Sequence, residues 1–96
     1  MRVVVRPFFT ICQALGGAKQ LDIELDQPTV RRALYELRRR YGDPFWSELF
    51  DQKNDRPLEN TQILINGRHY RHLPGKLEHE LKEGDELALF PATAGG

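Results

Sequence analysis

The sequence predicts an α+β domain in which one mixed β-sheet is crossed by a single main helix. Three observations carry that prediction. The chain opens on a valine-rich run at Val3-Val4-Val5, it holds one amphipathic stretch at helical spacing from Thr29 to Tyr41, and it closes on a strand-turn-strand signal followed by a last apolar run, Glu86-Leu87-Ala88-Leu89-Phe90.

The three valines are β-branched, and their restricted side chains suit a pleated surface, so strand 1 lies there; Pro7 then limits regular pairing just before Phe8 and Phe9. Ile11 to Leu15 fits a short helical turn closed by Gly16-Gly17. Leu21, Ile23 and Leu25 alternate with Asp22, Glu24 and Asp26, the pattern of a second strand with one buried face. Thr29 is placed to cap the main helix with its hydroxyl, and Val30, Ala33, Leu34, Leu37 and Tyr41 recur at helical spacing up to Gly42. Arg31, Arg32, Arg38 and Arg39 fall mainly on the opposite side, with those near the C-terminal end favoured by the helix dipole.

From Asp43 to Asn60, Pro44, Pro57 and a polar centre predict an extended connection, packed in part through Phe45, Trp46 and Phe50. Ile63-Leu64-Ile65, Asn66-Gly67 and Arg68-His69-Tyr70 form a hairpin signal, because Asn and Gly tolerate the positive φ angles of a type I′ turn. Glu83-Gly84-Asp85 is a further turn leading into the last strand, and Pro91 ends it by withholding a backbone donor. With strand 1 central and the last strand beside it, this order gives a ubiquitin-like β-grasp roll. The domain is expected over residues 1–90, with a flexible tail over 91–96 ending in Gly-Gly.

Composition narrows the function classes. Ninety-six residues make one domain with one modest core. Lys+Arg 14 against Asp+Glu 14 leaves no net charge, which argues against direct nucleic-acid binding. One cysteine cannot form an intramolecular disulfide, and no apolar run approaches the roughly 18 residues of a membrane span. No signal-peptide pattern opens the chain, and a cytoplasmic location without membrane association is expected.

The chemistry is expected at Gly95-Gly96. The run Pro91-Ala92-Thr93-Ala94-Gly95-Gly96 has no bulky side chain, and two glycines let backbone pass through a slot too narrow for a Cβ. A terminal carboxylate is ionised at neutral pH and accepts a nucleophile poorly, but it can attack the α-phosphate of ATP. The resulting acyl-adenylate loses AMP readily to a sulfur nucleophile, leaving an acyl-sulfur species on Gly96. No phosphate-binding loop is present, since neither Gly-Gly pair is followed by Lys-Ser/Thr and a helix, so ATP must be used by a partner.

The ending Leu87-Ala88-Leu89-Phe90-Pro91-Ala92-Thr93-Ala94-Gly95-Gly96 resembles that of the MoaD/ThiS family of sulfur carriers, in which a strand is followed by Phe-Pro-Pro, small residues and Gly-Gly. Phe8-Phe9, Leu15-Gly16-Gly17, the Thr29-to-Leu37 helix, Ile65-Asn66-Gly67-Arg68 and Leu81-to-Glu86 match family landmarks in the same order. Ala92 departs from the second proline of the motif, and the length favours the MoaD branch, the small subunit of molybdopterin synthase.

The resemblance implies a non-catalytic carrier that is adenylated by a MoeB- or ThiF-like enzyme, converted to a thiocarboxylate and docked on a MoaE-like acceptor in molybdenum or tungsten cofactor biosynthesis. Relatives that join the same glycine to lysines, or that serve tRNA thiolation, leave two further fates open, and a plain ubiquitin-like binding module is a third. Strand parity turns Ala88 and Phe90 outward if Leu87 and Leu89 face the core, and the resemblance adds Phe9 and Tyr70, with His69 as its alternative, to a partner-binding patch beside Pro91. His69, His72 and His79 lack the companions of a zinc site, so no metal is expected; Cys12 is expected to pack as a small apolar residue, and the arginines of the main helix to form a solvated face.

Overall fold

The computed structural model describes residues 1–92. Its five-stranded sheet has the order β2-β1-β7-β5-β6. The β1 strand (Arg2–Pro7) is central; it pairs antiparallel with β2 (Leu21–Glu24) on one side and parallel with β7 (Glu86–Phe90) on the other. Strand β5 (Gln62–Ile65) pairs antiparallel with β7 and with the short β6 (Arg68–His69). The parallel β1/β7 pair forces everything between them to cross over the sheet, and the main helix α2 (Val30–Tyr41) makes that crossing.

The register divides the sheet into two faces. On one, Val5 and Ile65 flank Leu87, while Pro7 and Ile63 flank Leu89, all of them buried. Val30, Ala33, Leu34 and Leu37 of α2 cover that face with one apolar stripe. Thr29 caps the helix as its residue type predicts, its hydroxyl oxygen accepting from the Arg32 N–H at 3.2 Å. Asn66 at φ 51° and Gly67 at φ 87° make the turn between β5 and β6 with the positive angles that a type I′ hairpin demands.

The stretch from Asp43 to Asn60 is more ordered than its composition predicts. Helix α3 (Asp43–Leu49) follows α2 directly, and β3 (Phe50–Asp51) pairs antiparallel with β4 (Arg56–Pro57) to close a small ribbon. Gly42, at φ 75°, breaks the axis between the two helices. Pro44 is no breaker here, because it sits in the first turn of α3, where its missing N–H has no partner to lose. Phe45, Trp46 and Leu49 share the apolar side of this helix and enter the core.

A second departure concerns Tyr70. Strand β6 stops at His69, and a 3₁₀ turn over Tyr70–His72 rotates the next side chain inward. Tyr70 is 7% exposed and belongs to the core cluster. Cys12 is half-buried rather than enclosed: α1 (Phe9–Ala14) turns Ile11 toward the core with Leu15 just beyond its end, which leaves the Cys12 thiol donating to the Ala18 carbonyl oxygen at 3.3 Å.

Candidate partner-docking site

The sheet face opposite α2 carries the candidate site. Arg6, Ala88, Leu64 and His69 are successive cross-strand neighbours on it, Val4 shares it between Asp22 and Glu86, and Phe90 lies at its upper end opposite Gln62. The parity expected from the sequence holds, since Leu87 and Leu89 are fully buried while Ala88 and Phe90 are half-buried on the other face. Charges fringe this strip as pairs: Arg6 reaches Glu86 at 3.6 Å, and Arg2 reaches Asp22 and Glu83 at 3.7 Å. Exposed pairs of this kind contribute little to stability, but they ring the apolar centre with polar groups.

Three phenylalanines converge where β7 ends. The Phe8 ring lies flat on Phe90, with centroids 4.3 Å apart and planes 4° from parallel. The Phe9 ring is tilted against Phe90 at 6.5 Å and is 71% exposed, an unusual position for a large apolar side chain. Phe9 also has φ 55°, a left-handed angle that costs a residue with a Cβ roughly 1–2 kcal/mol. The core gains almost nothing from a ring so placed, so the backbone strain at Phe9 has no packing return.

That observation carries a prediction for stability. Phe9→Gly is expected to fold at least as stably as the parent and to exceed Phe9→Ala by about 1 kcal/mol, because glycine alone takes the positive φ without penalty. Both variants lose the ring and are expected to weaken partner binding alike. Urea unfolding beside a binding titration separates the two effects, and equal stability of the Gly and Ala variants would refute the strain.

His69 borders the patch. Its ring stacks on Tyr70 at 5.0 Å, and its Nδ1 accepts the Arg71 N–H at 3.1 Å. Burial, aided by the nearby Arg71 and His72 charges, lowers its pKa and favours the uncharged imidazole, which suits an apolar surface. Tyr70, expected on the patch, is excluded from it by the inward turn described above, so His69 is the residue of that pair that the fold leaves at the surface. Phe9 lies against Phe90, Pro91 follows it in the chain, and Leu64 and Ala88 share the face with Phe90; both could be found from strand alternation alone once β5 and β7 are paired.

Among the described residues the charged side chains of the helix side are largely engaged with one another. Glu36 receives Arg39 in two hydrogen bonds and Arg40 in a third, and these two guanidinium groups hold its carboxyl down to about 2. Arg31 pairs with Glu78, and the Arg38 guanidinium lies 4.9 Å over the Trp46 ring. A cleft of about 420 Å³ beside α2 is lined in part by Arg32, Glu36 and Arg39, on the side away from the phenylalanine patch. The basic face therefore pairs largely within the chain, as a solvated helix surface does. Among the described residues no three His, Cys, Asp or Glu side chains gather to hold a metal ion, and no helix is long and apolar enough to cross a membrane. Gly95 and Gly96 lie outside the described residues.

Comparison with known proteins decides the family. The family model described as the ThiS family matches residues 8–96. This chain belongs to the ThiS family. It is accordingly a small ubiquitin-like carrier protein rather than an enzyme. An inferred sulfur carrier protein of Archaeoglobus fulgidus is 34% identical over 77 residues, covering 79% of this chain and 83% of that protein. Among solved structures, small archaeal modifier protein SAMP1 of Methanosarcina acetivorans matches with a TM-score of 0.76 at 29% identity, over 99% of this ThiS-family chain and 96% of its own. An inferred molybdopterin converting factor subunit 1 of Pyrococcus furiosus matches with a TM-score of 0.72 at 28% identity, over 97% and 99% of the two chains.

Proposed function

We propose that this ThiS-family protein carries sulfur as a thiocarboxylate on Gly96 and delivers it to an acceptor enzyme of molybdopterin synthesis. The single observation that supports docking as its mode of action is the exposed Phe9–Phe90 patch, set beside Pro91 where the chain leaves the sheet. The family match running through residue 96 supports placing the chemistry at the glycine pair.

The steps follow from the group involved. A carboxylate oxygen of Gly96 attacks the α-phosphorus of ATP held by a MoeB- or ThiF-like partner, and pyrophosphate leaves. A sulfur nucleophile then attacks the acyl carbon, and AMP leaves with the electrons of the broken C–O bond. Where the sulfur comes from an enzyme persulfide, a second thiol must cleave the S–S bond to free the thiocarboxylate. This chain contributes the carboxyl group and the docking face; ATP and the catalytic groups belong to the partner. The Phe9–Phe90 patch then seats the loaded carrier on a MoaE-like acceptor, where the terminal sulfur attacks an electrophilic carbon of the acceptor's substrate and water cleaves the acyl–sulfur bond, leaving the sulfur there and restoring the carboxylate.

A second reading is favoured by the similarity to SAMP1: the same adenylate is attacked by a lysine amine, giving an isopeptide bond. The pathways share their first step and diverge in the nucleophile. Service to tRNA thiolation would use the same thiocarboxylate with a different acceptor.

Intact mass spectrometry after incubation with the adenylating enzyme, ATP and a sulfur source distinguishes them. Replacement of one carboxylate oxygen by sulfur on the peptide containing Gly96 is the expected result. Lysine conjugates with no sulfur-bearing product would instead establish the modifier reading, and neither product in the presence of an active partner would overturn both.

A further inference from the structure

The two edges of the sheet are finished differently. Strand β6 has two residues and gives way at once to the 3₁₀ turn over Tyr70–His72. Strand β2 keeps four residues paired with β1, and no strand among the described residues lies on its other side. The ladder fixes which of its backbone groups face outward. The Leu25 N–H donates to the Met1 carbonyl oxygen at 2.9 Å, and the Met1 amino group donates to the Leu25 carbonyl oxygen at 3.1 Å, so this pair exchanges both bonds. Alternation makes Val3 with Ile23 and Val5 with Leu21 the next such pairs; Val4 accordingly points its N–H the other way, to the Asp85 carbonyl oxygen at 2.9 Å. The N–H and C=O groups of Asp22 and Glu24 are therefore turned away from β1, the template for a further strand.

The same residues line this edge with negative charge. Asp22, Glu24 and Asp26 are exposed, and among the described residues the cations that reach them are Arg2, which Asp22 shares with Glu83, and the Met1 amino group beside Glu24. Two β2 edges paired antiparallel would set carboxylate opposite carboxylate, so a second copy of this chain is a poor occupant. The charges that exclude a copy admit a strand of opposite sign. On the helix side of the sheet, the cleft of about 420 Å³ opens beside the end of β2, between Leu25 and Asp26 and the flank of α2 carrying Arg32, Tyr35, Glu36 and Arg39. Its two acidic and two basic side chains balance, and Tyr35 is 38% exposed, so the cleft suits an uncharged, apolar side chain.

We propose that the β2 edge accepts an extended segment of a partner protein as a further antiparallel strand, with lysine or arginine opposite Asp22 and Glu24 and apolar side chains at the alternate positions, turned toward the cleft. Antiparallel pairing places each basic residue directly opposite its carboxylate, where the two residues exchange both backbone bonds. Main-chain bonds supply the hold, and the basic–apolar alternation supplies the selectivity. Strand β1 separates this edge from β7, so the site is distinct from the Phe9–Phe90 patch.

The test uses the full chain and a capped peptide alternating lysine and valine. In nitrogen-edited NMR spectra, shifts are expected at Asp22 to Glu24 and at the α2 residues of the cleft, and hydrogen exchange of the Asp22 and Glu24 amides is expected to slow at least roughly ten-fold at saturation. A peptide methylated at its lysine backbone nitrogens, which face β2 in this register, is expected not to bind; one methylated at its valine nitrogens, which face away, is expected to bind within about three-fold of the parent. Asp22→Asn with Glu24→Gln, at exposed positions outside the core, is expected to weaken binding at least about five-fold at low salt. Absence of binding up to about 1 mM, shifts centred on Phe9 and Phe90, unaltered exchange at the two amides, equal binding of the two methylated peptides, or unweakened binding by the double variant would each overturn the proposal. Concentration-dependent protection of the same amides without peptide would overturn it too, by assigning the edge to a second copy.

Discussion

A chain ending at Gly95 in place of Gly96 is expected to lose sulfur transfer entirely while melting at the same temperature as the parent. Truncation leaves a carboxylate, but one residue short of the point to which the docked domain delivers it, and two extended residues span only about 7 Å in all. Loss of one residue therefore moves the reacting carbon by far more than the distance over which acyl transfer tolerates misplacement. Stability has no reason to follow. Among the described residues the core cluster ends in sequence at Leu89, and substitutions away from the core usually stay within about 0.5 kcal/mol. Affinity for the acceptor should fall much less than transfer, because the Phe9–Phe90 face is intact. Thiocarboxylate formation read by mass, beside a thermal melt and a binding titration, checks all three; transfer retained by the shortened chain would dismiss Gly96 as the carrier group.

Trp46→Ala is expected to produce the largest loss of stability, about 3–5 kcal/mol, in line with other buried tryptophans cut to alanine. Trp46 is 2% exposed, stacks on Phe50 at 4.3 Å and meets Phe45 at 6.2 Å and Tyr35 at 5.7 Å. The Arg38 guanidinium covers its ring, so the substitution also removes a cation–π contact between α2 and α3. In a domain of this size each kcal/mol moves the melting temperature by roughly 4–8 °C, which puts the variant's melt tens of degrees lower. Since Trp46 is the single tryptophan, its fluorescence can follow unfolding in the parent, and circular dichroism serves for both proteins. A loss below about 1 kcal/mol would mean that α3 is not part of the core.

These two residues mark different degrees of legibility. The glycine pair is visible in the sequence as a run without bulky side chains, and it lies outside the described residues. Trp46 was legible as an aromatic in need of burial but not as a helical residue. Pro44 and the polar Asp51–Asp55 run weigh toward a loop in any local reading, and only the position of Pro44 within the first turn of α3 reverses its sign. Tyr70 differs, because alternation past His69, which shares the outer face with Leu64, already turns Tyr70 to the inner face of Arg68 and Ile65; it was the family resemblance that put it on the patch.

Periodicity and backbone chemistry suffice for the valine strand β1, the stripe and cap of α2, the Asn66-Gly67 turn, and the inward Leu87 and Leu89 of β7 that put Phe90 on the opposite face. Those features depend on neighbours close along the chain. Only the packed chain shows that Phe8 lies flat on Phe90, that Phe9 is held out at a strained angle, and that the residues after Gly42 form a helix. The stack and the helix are settled by contact between segments far apart in sequence, where the burial of Trp46 and its neighbours outweighs local preference, whereas the exposed Phe9 follows from the backbone turn that joins β1 to α1.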